Sequence, residues 1–145
     1  MGRTWAELRA EATAVAQKAY PRASHFRVGA AGETTGGRLV VGCNVESASY
    51  GLTLCAEAGL VSALYASRPD PADPDNFKHN ADARLAMVSI VRGDGVPVAP
   101  CGRCRQLLSE AGGPALLIDW DPSPRTIGEL LPDAFDWTDV EAPRP

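Results

Sequence analysis

Two cysteine motifs, well separated along the chain, constrain it most. The first is Cys55-Ala56-Glu57 in "TLCAEAGL"; the second is Pro100-Cys101-Gly102-Arg103-Cys104 in "APCGRCRQ". Each lies where a loop runs into a helical pattern. Cysteines three apart at a helix start can turn both sulfurs toward one point, and the free backbone N–H groups there favour thiolate. If Cys55 joins them, two helix N-termini must meet at one place. The fold has to bring that meeting about.

The rest of the composition narrows what those sulfurs do. A chain of 145 residues with 45% apolar and 22% charged residues suits one folded domain, residues 1–145, with a real core. A net charge of -4 argues against a duplex nucleic-acid binder. No apolar run reaches the roughly 20 residues of a membrane helix. The first residues carry Glu7 and Glu11 and no continuous apolar segment, unlike a signal peptide, so a cytoplasmic protein is expected. There, four cysteines stay reduced and serve metal binding or catalysis rather than a disulfide framework. With only two histidines, His25 and His79, any metal site leans on sulfur.

Patterning gives the elements. "TWAE" at 4–7 reads as a capping box, and Trp5, Leu8, Ala12, Val15, Ala16 and Ala19 recur at helical spacing, predicting a helix over 5–19 ended by Pro21. "FRVGAAG" and "RLVVGCN" bracket "ETTGG" as a β-hairpin. Thr53 is a plausible N-cap for the mostly apolar helix behind it. Residues 68–83, rich in Pro and Asp, read as a loop. "RLAMVSIVR" reads as a buried strand, "QLLSEA" as a helix stopping at Gly112-Gly113, and "ALLID" as a further strand. "TIGELLP" carries a second capping box, Thr126 to Glu129, and "WTDVEAPRP" reads as a frayed tail. The order predicts an α/β fold: one mixed sheet with helices on both faces.

Cys101 and Cys104 need further ligands, and Cys43, Cys55, His25 and His79 can be weighed. Four protein ligands would make a structural clip. Cys55 as the third would leave an open position with Glu57 beside it, which separates a catalytic zinc from a structural one. A redox CxxC pair is weaker, because a third cysteine accompanies it. Cys43 ends an apolar strand and reads as a small buried residue. Phe26, on the strand with Val28, can be core; Glu46 can be a surface acid, Asn44 a turn residue and Phe135 an anchor for the last helix.

Zinc nucleobase deaminases carry His or Cys, one residue, then Glu, and later Pro-Cys-x-x-Cys. "AYPRASHFRVGAAG", "GCNVESASYGLTLCAE", "PCGRCRQLLSEAGG" and "ELLPDAF" together resemble the small homotetrameric cytidine deaminases, over most of the chain from Ala19 to Phe135. The resemblance implies a three-layer α-β-α cytidine-deaminase-like fold. It implies Zn2+ held by Cys55, Cys101 and Cys104, with Glu57 as proton shuttle. By the same resemblance Phe26 stacks on the base, Asn44 and Glu46 bond the ribose, and Ala48 offers backbone near the sugar. Ala56 is grouped with these substrate contacts. Tyr50 and Phe135 reach across subunit interfaces. The implied reaction is deamination of cytidine and deoxycytidine in pyrimidine salvage.

The chain departs from that family in places. Ala58 stands where an arginine often follows CAE and bonds the thiolates, and Arg103 is expected to supply that charge instead, as "CGRCRQ" in deaminases of the blasticidin type suggests. Arg22-Ala23-Ser24 replaces Pro-Tyr-Ser, and Ser47 replaces Asn. The alternatives are a deaminase of a modified cytosine nucleoside, such as a blasticidin-type antibiotic, and a non-catalytic zinc-stapled binding module.

Overall fold

A capping box opens the chain as its sequence predicts. In the computed structural model, which describes residues 2–68 and 84–141, Thr4 Oγ1 accepts the Glu7 N–H at 3.2 Å and Glu7 Oε2 accepts the Thr4 N–H at 2.7 Å. Helix α1 then runs Trp5–Ala16, ending earlier than Pro21 would require. The reason is tertiary. Arg27 Nη1 donates to the carbonyls of Gln17 and Ala19 at 3.0 and 2.9 Å, and the Tyr20 N–H donates to Asn44 O at 3.0 Å. These bonds draw residues 17–20 off the helical path.

Strands β1 (Val28–Thr34) and β2 (Leu39–Cys43) form the expected hairpin, with Gly37 at φ 89° in its turn. Strand β3 (Leu85–Arg92) pairs antiparallel with the other edge of β1. Strand β4 (Leu117–Ile118) lies parallel to β3, and β5 (Arg125–Thr126) lies antiparallel to β4. The sheet order is β2-β1-β3-β4-β5. β4 is shorter than "ALLID" suggests, because Leu116 N–H bonds Gly113 O at 3.1 Å, so the ladder with β3 starts only at Leu117. β5 carries no apolar run and was invisible in the sequence.

Helix α1 covers one face through Leu8 and Ala12 against Ala31 and Val91. Helices α2 (Ala56–Ala66) and α3 (Gly102–Gly112) cover the other, where Leu60, Leu64, Leu108 and Ala111 pack on Ala30, Val40, Val88 and Ile90. This is the three-layer arrangement expected. Two glycines set how closely the layers approach. A Cβ at Gly29 would overlap the backbone of Ala12 and Ala16 in α1; one at Gly42 would overlap Ala56 O and Leu60 N in α2. Gly42 thus lets the first turn of α2 rest directly on the sheet.

An ion pair with one buried partner ties α1 to the end of β4. Asp119, 1% exposed, accepts from Arg9 Nε and Nη2 at 2.7 Å each and from Ser89 Oγ at 2.8 Å. Helix α4 (Ile127–Leu130) starts at the predicted Thr126–Glu129 box. Helix α5 (Trp137–Glu141) occupies part of the expected frayed tail. Asp136 organises its start: its Oδ1 accepts the Thr138 N–H at 2.7 Å, and its own N–H donates to Asp139 Oδ2 at 3.0 Å. His79, the loop from residue 69 to 83 and the last four residues of the tail lie outside the described residues.

Candidate metal centre

Thr53 does not cap α2. The pairing of Val45 with Leu54, with N–H···O distances of 3.0 and 2.9 Å in the two directions, holds residue 54 extended and delays the helix. Cys55 is the N-cap instead, at φ -69° and ψ 157°. Cys101 is the N-cap of α3 with nearly the same backbone, φ -67° and ψ 167°. Extended backbone at the N-cap leaves the Cys side chain beside the free N–H groups of its own first turn. Because α2 and α3 lie side by side on one face of the sheet, the two caps converge.

The ligand atoms of Cys55, Cys101 and Cys104 lie within 4.8 Å of one another. Among the described residues this is the only such group of three or more potential metal ligands. Three soft thiolates at this separation fit zinc, which takes tetrahedral sulfur sites with Zn–S near 2.3 Å. Cys43 is not part of the group. It pairs with Gly29, which faces α1, and cross-strand partners share a face, so its side chain lies on the α1 side of the sheet, away from α2 and the other three sulfurs. It is half-buried rather than fully buried.

The three sulfurs are not equivalent. The Cys101 thiol sits beside the first-turn N–H groups of Cys104 and Arg103, which hold it below the usual value. Burial pushes Cys104 and Cys55 up, and the neighbouring Glu57 charge adds to this in both. The expectation that helix N-termini favour thiolate therefore holds for exposed Cys101, while desolvation outweighs it at Cys104 and Cys55. A divalent cation reverses that balance by bonding the thiolates directly.

Glu57 is in the first turn of α2 and 5% exposed. Burial raises its pKa above the ordinary carboxylate range. A buried acid with a raised pKa, set against a thiolate cluster, is equipped to carry a proton in both directions.

Around this centre the rim is open. Phe26 precedes β1 rather than lying on it and is 49% exposed, so it is not a core residue. Asn44 is buried, and its carboxamide clasps the chain there: Oδ1 accepts the Val28 N–H and Nδ2 donates to Phe26 O, both at 2.8 Å. Glu46 accepts the N–H groups of Ala23 and Ser24 at 2.6 and 3.1 Å, and also the Ser24 hydroxyl. That hydroxyl is the chief reason its pKa is lowered. Glu46, Ala48 and Tyr50 line a cavity of about 310 Å³ with Tyr20, Arg22, Ala23 and Ser47. Ala56, the first residue of α2, is fully buried, whereas Tyr50 and Phe135 are 79% and 61% exposed.

Arg103 is exposed, and its side chain forms no hydrogen bond or ion pair among the described residues. Sequence reasoning missed Arg105, whose Nε donates to Pro100 O at 3.0 Å and Nη1 to Leu130 O at 2.9 Å. It also missed Gln106, which donates to Phe135 O at 2.7 Å and so ties the C-terminal segment to α3. Spacing alone could not single out which arginine of "GRCR" is anchored.

A mixed α/β sheet that presents a three-sulfur cluster and a buried glutamate at two helix starts belongs to the class of zinc nucleobase-deaminase domains. The comparisons with known proteins agree. Residues 4–118 match the family model described as the cytidine and deoxycytidylate deaminase zinc-binding region, and the chain belongs to this family. A cytidine deaminase of Mycobacterium tuberculosis is 46% identical over 140 residues, covering 97% of this chain and 96% of that protein. One of Halalkalibacterium halodurans is 35% identical over 136 residues, covering 90% and 92%. The crystal structure of the M. tuberculosis cytidine deaminase has a TM-score of 0.81 at 47% identity, covering 92% of this chain and 98% of that one.

Proposed function

We propose that this protein is a zinc-dependent hydrolase that converts cytidine and deoxycytidine to uridine and deoxyuridine, releasing ammonia. The observation that carries this reading is the convergence of Cys55, Cys101 and Cys104 within 4.8 Å, with the buried Glu57 two residues past the first of them. The relatives named cytidine deaminases, matched over nearly the whole chain, support it over an antibiotic-modifying enzyme or a passive zinc staple. In this reading residues 1–145 act as one domain in cytoplasmic pyrimidine salvage. The exposed Tyr50 and Phe135 support a homotetramer in which neighbouring subunits complete each site.

Zinc bound by the three cysteines supplies Lewis acidity, which brings the pKa of water at the site toward neutrality. Glu57 accepts the first proton from that water as its oxygen attacks C4 of the base. The same carboxyl protonates ring nitrogen N3. Glu57 then carries the second proton of the water to the exocyclic amine, the C4–N bond breaks, and ammonia leaves. One carboxyl performs each transfer, so it must both take up and release a proton, and the burial that raises its pKa above the ordinary carboxylate range favours the uptake. Phe26 gives the base an exposed aromatic face. Asn44 and Glu46 address the ribose with the hydrogen-bonding capacity left after their bonds to the chain, Ala48 lies against the sugar, and Ala56 sets the packing beneath.

Arg103 is assigned the role of offsetting the negative charge of the three-thiolate site, taking the place of the arginine that Ala58 lacks. Its unpartnered side chain leaves it available for that role. Arg103→Ala should weaken zinc binding or turnover, and full activity in that variant would remove the assignment. The function itself is tested by following uridine formation from cytidine with wild type and Glu57→Gln, with zinc measured on both. Lost turnover with zinc retained supports the mechanism; equal turnover refutes it. A panel including blasticidin S and methylated cytidines fixes the substrate.

A further inference from the structure

The peptide between Pro100 and Cys101 is held from both sides by the helix it introduces. On one side the Cys101 carbonyl accepts the Arg105 N–H at 2.9 Å, in the first turn of α3. On the other, Arg105 Nε bonds the carbonyl of buried Pro100 at 3.0 Å, reaching back over the turn. The second arm of the same guanidinium bonds Leu130 O at 2.9 Å, at the carboxyl end of α4. That carbonyl has no helical partner of its own, so a cation suits it. One planar side chain therefore links three pieces that no backbone ladder joins: the loop before Cys101, the first turn of α3 and the end of α4.

This matters because Cys101 is the exposed ligand of the three. Cys104 is fixed inside helix α3 and Cys55 is braced by the Val45–Leu54 pairing beside it. Besides the side-chain torsion of Cys101, rotation of the 100–101 peptide moves its sulfur toward or away from the other two. A carbonyl pinned by a guanidinium, itself pinned at its other arm, removes that freedom.

We propose that Arg105 is a positioning residue for the metal centre, acting through the Pro100 carbonyl to hold the Cys101 thiolate in the ligand set. The inference rests on the reading that the three thiolates hold zinc. Lysine at this position can reach one carbonyl but not both, because its ammonium lacks the forked geometry.

The test measures zinc release from the zinc-loaded full-length protein to a chromogenic chelator. Wild type, Arg105→Gln, Arg105→Lys and Arg9→Gln are compared, with thermal midpoints recorded for each. Arg9→Gln breaks the Arg9–Asp119 pair far along the sheet and serves as a destabilised control. Release from Arg105→Gln should be about 10–100-fold faster than from wild type, the range typical when a residue supporting a metal ligand is removed. Arg105→Lys should fall between the two, and it keeps the test open if the glutamine variant does not fold. Arg9→Gln should melt earlier yet release zinc at the wild-type rate. Release from the Arg105 variants at the wild-type rate overturns the proposal, as does equally fast release from Arg9→Gln, which would mark general loosening. A wild-type protein that retains no zinc refutes the metal reading itself and takes this proposal with it.

Discussion

The metal centre and the rim around it are built by opposite means. The centre is made of helix starts locked onto a sheet: Glu57 is 5% exposed and Cys104 fully buried, over a floor of Leu60 and Leu108. The rim is made of loops and chain ends: Tyr50, Leu52 and Phe135 are 79%, 70% and 61% exposed. Polar groups at the rim are engaged with neighbouring chain, as Glu46 is with residues 23–24 and Asn44 with Phe26 and Val28. The contrast teaches that one chain by itself brings the three sulfurs and the buried acid together, while the rim leaves large aromatic side chains exposed. Proton transfer needs a dry, fixed carboxylate; binding a flexible sugar tolerates an open frame.

The comparison breaks first at Glu57. Glu57→Gln should lower cytidine turnover by about 10²–10⁴-fold while zinc content stays at the wild-type level, read by uridine formation and metal analysis. If zinc leaves with activity, the acid is holding the centre together and the separation of roles is wrong. Next, Cys101→Ser should leave the purified protein with far less zinc than wild type. Its secondary structure by circular dichroism should be kept, because Cys101 is exposed and caps only one helix.

At the rim the effects should be smaller and confined to binding. Phe26→Ala removes the aromatic face and should raise KM for cytidine roughly tenfold with kcat changed little, in line with the cost of losing one stacking partner. A matching fall in kcat would mean that Phe26 acts at the centre. The smallest effect concerns acid pH. Glu46 has a lowered pKa, so the stability that its bonds give to residues 23–24 is present above the unfolded carboxylate value and is lost as pH falls through the lowered folded value. Amide signals of Ala23 and Ser24 should shift in that window, and a Glu46→Gln variant should not show that shift.

Sequence legibility follows the same divide. The capping boxes at Thr4–Glu7 and Thr126–Glu129 were readable because a cap is a local bond between residues three apart. The hairpin was readable from alternation and its glycine turn. The Cys55–Glu57 and Cys101–Cys104 pairs were readable as two local motifs because each sits at a helix start, and the family resemblance joined them. Thr53 misled because a good capping side chain was overruled by the pairing of Val45 with Leu54. The end of α1 misled because Arg27, beyond the helix, captures the carbonyls at its end. β5 gave no signal, since two residues paired at a sheet edge need no apolar pattern. Phe26 was assigned to a strand that begins two residues later.

The sequence by itself determined the layered α/β plan, the two cysteine motifs and the acid beside one of them, because each is written in short-range spacing and apolar period. Only the tertiary structure decided which sulfurs meet, that Cys43 faces the other side of the sheet, and that Arg105 rather than Arg103 braces the loop before Cys101. Those outcomes depend on strand register and on side chains reaching segments distant in the chain. Such reach is set by packing, through close approaches like that of Gly42 to α2, and no local pattern encodes it.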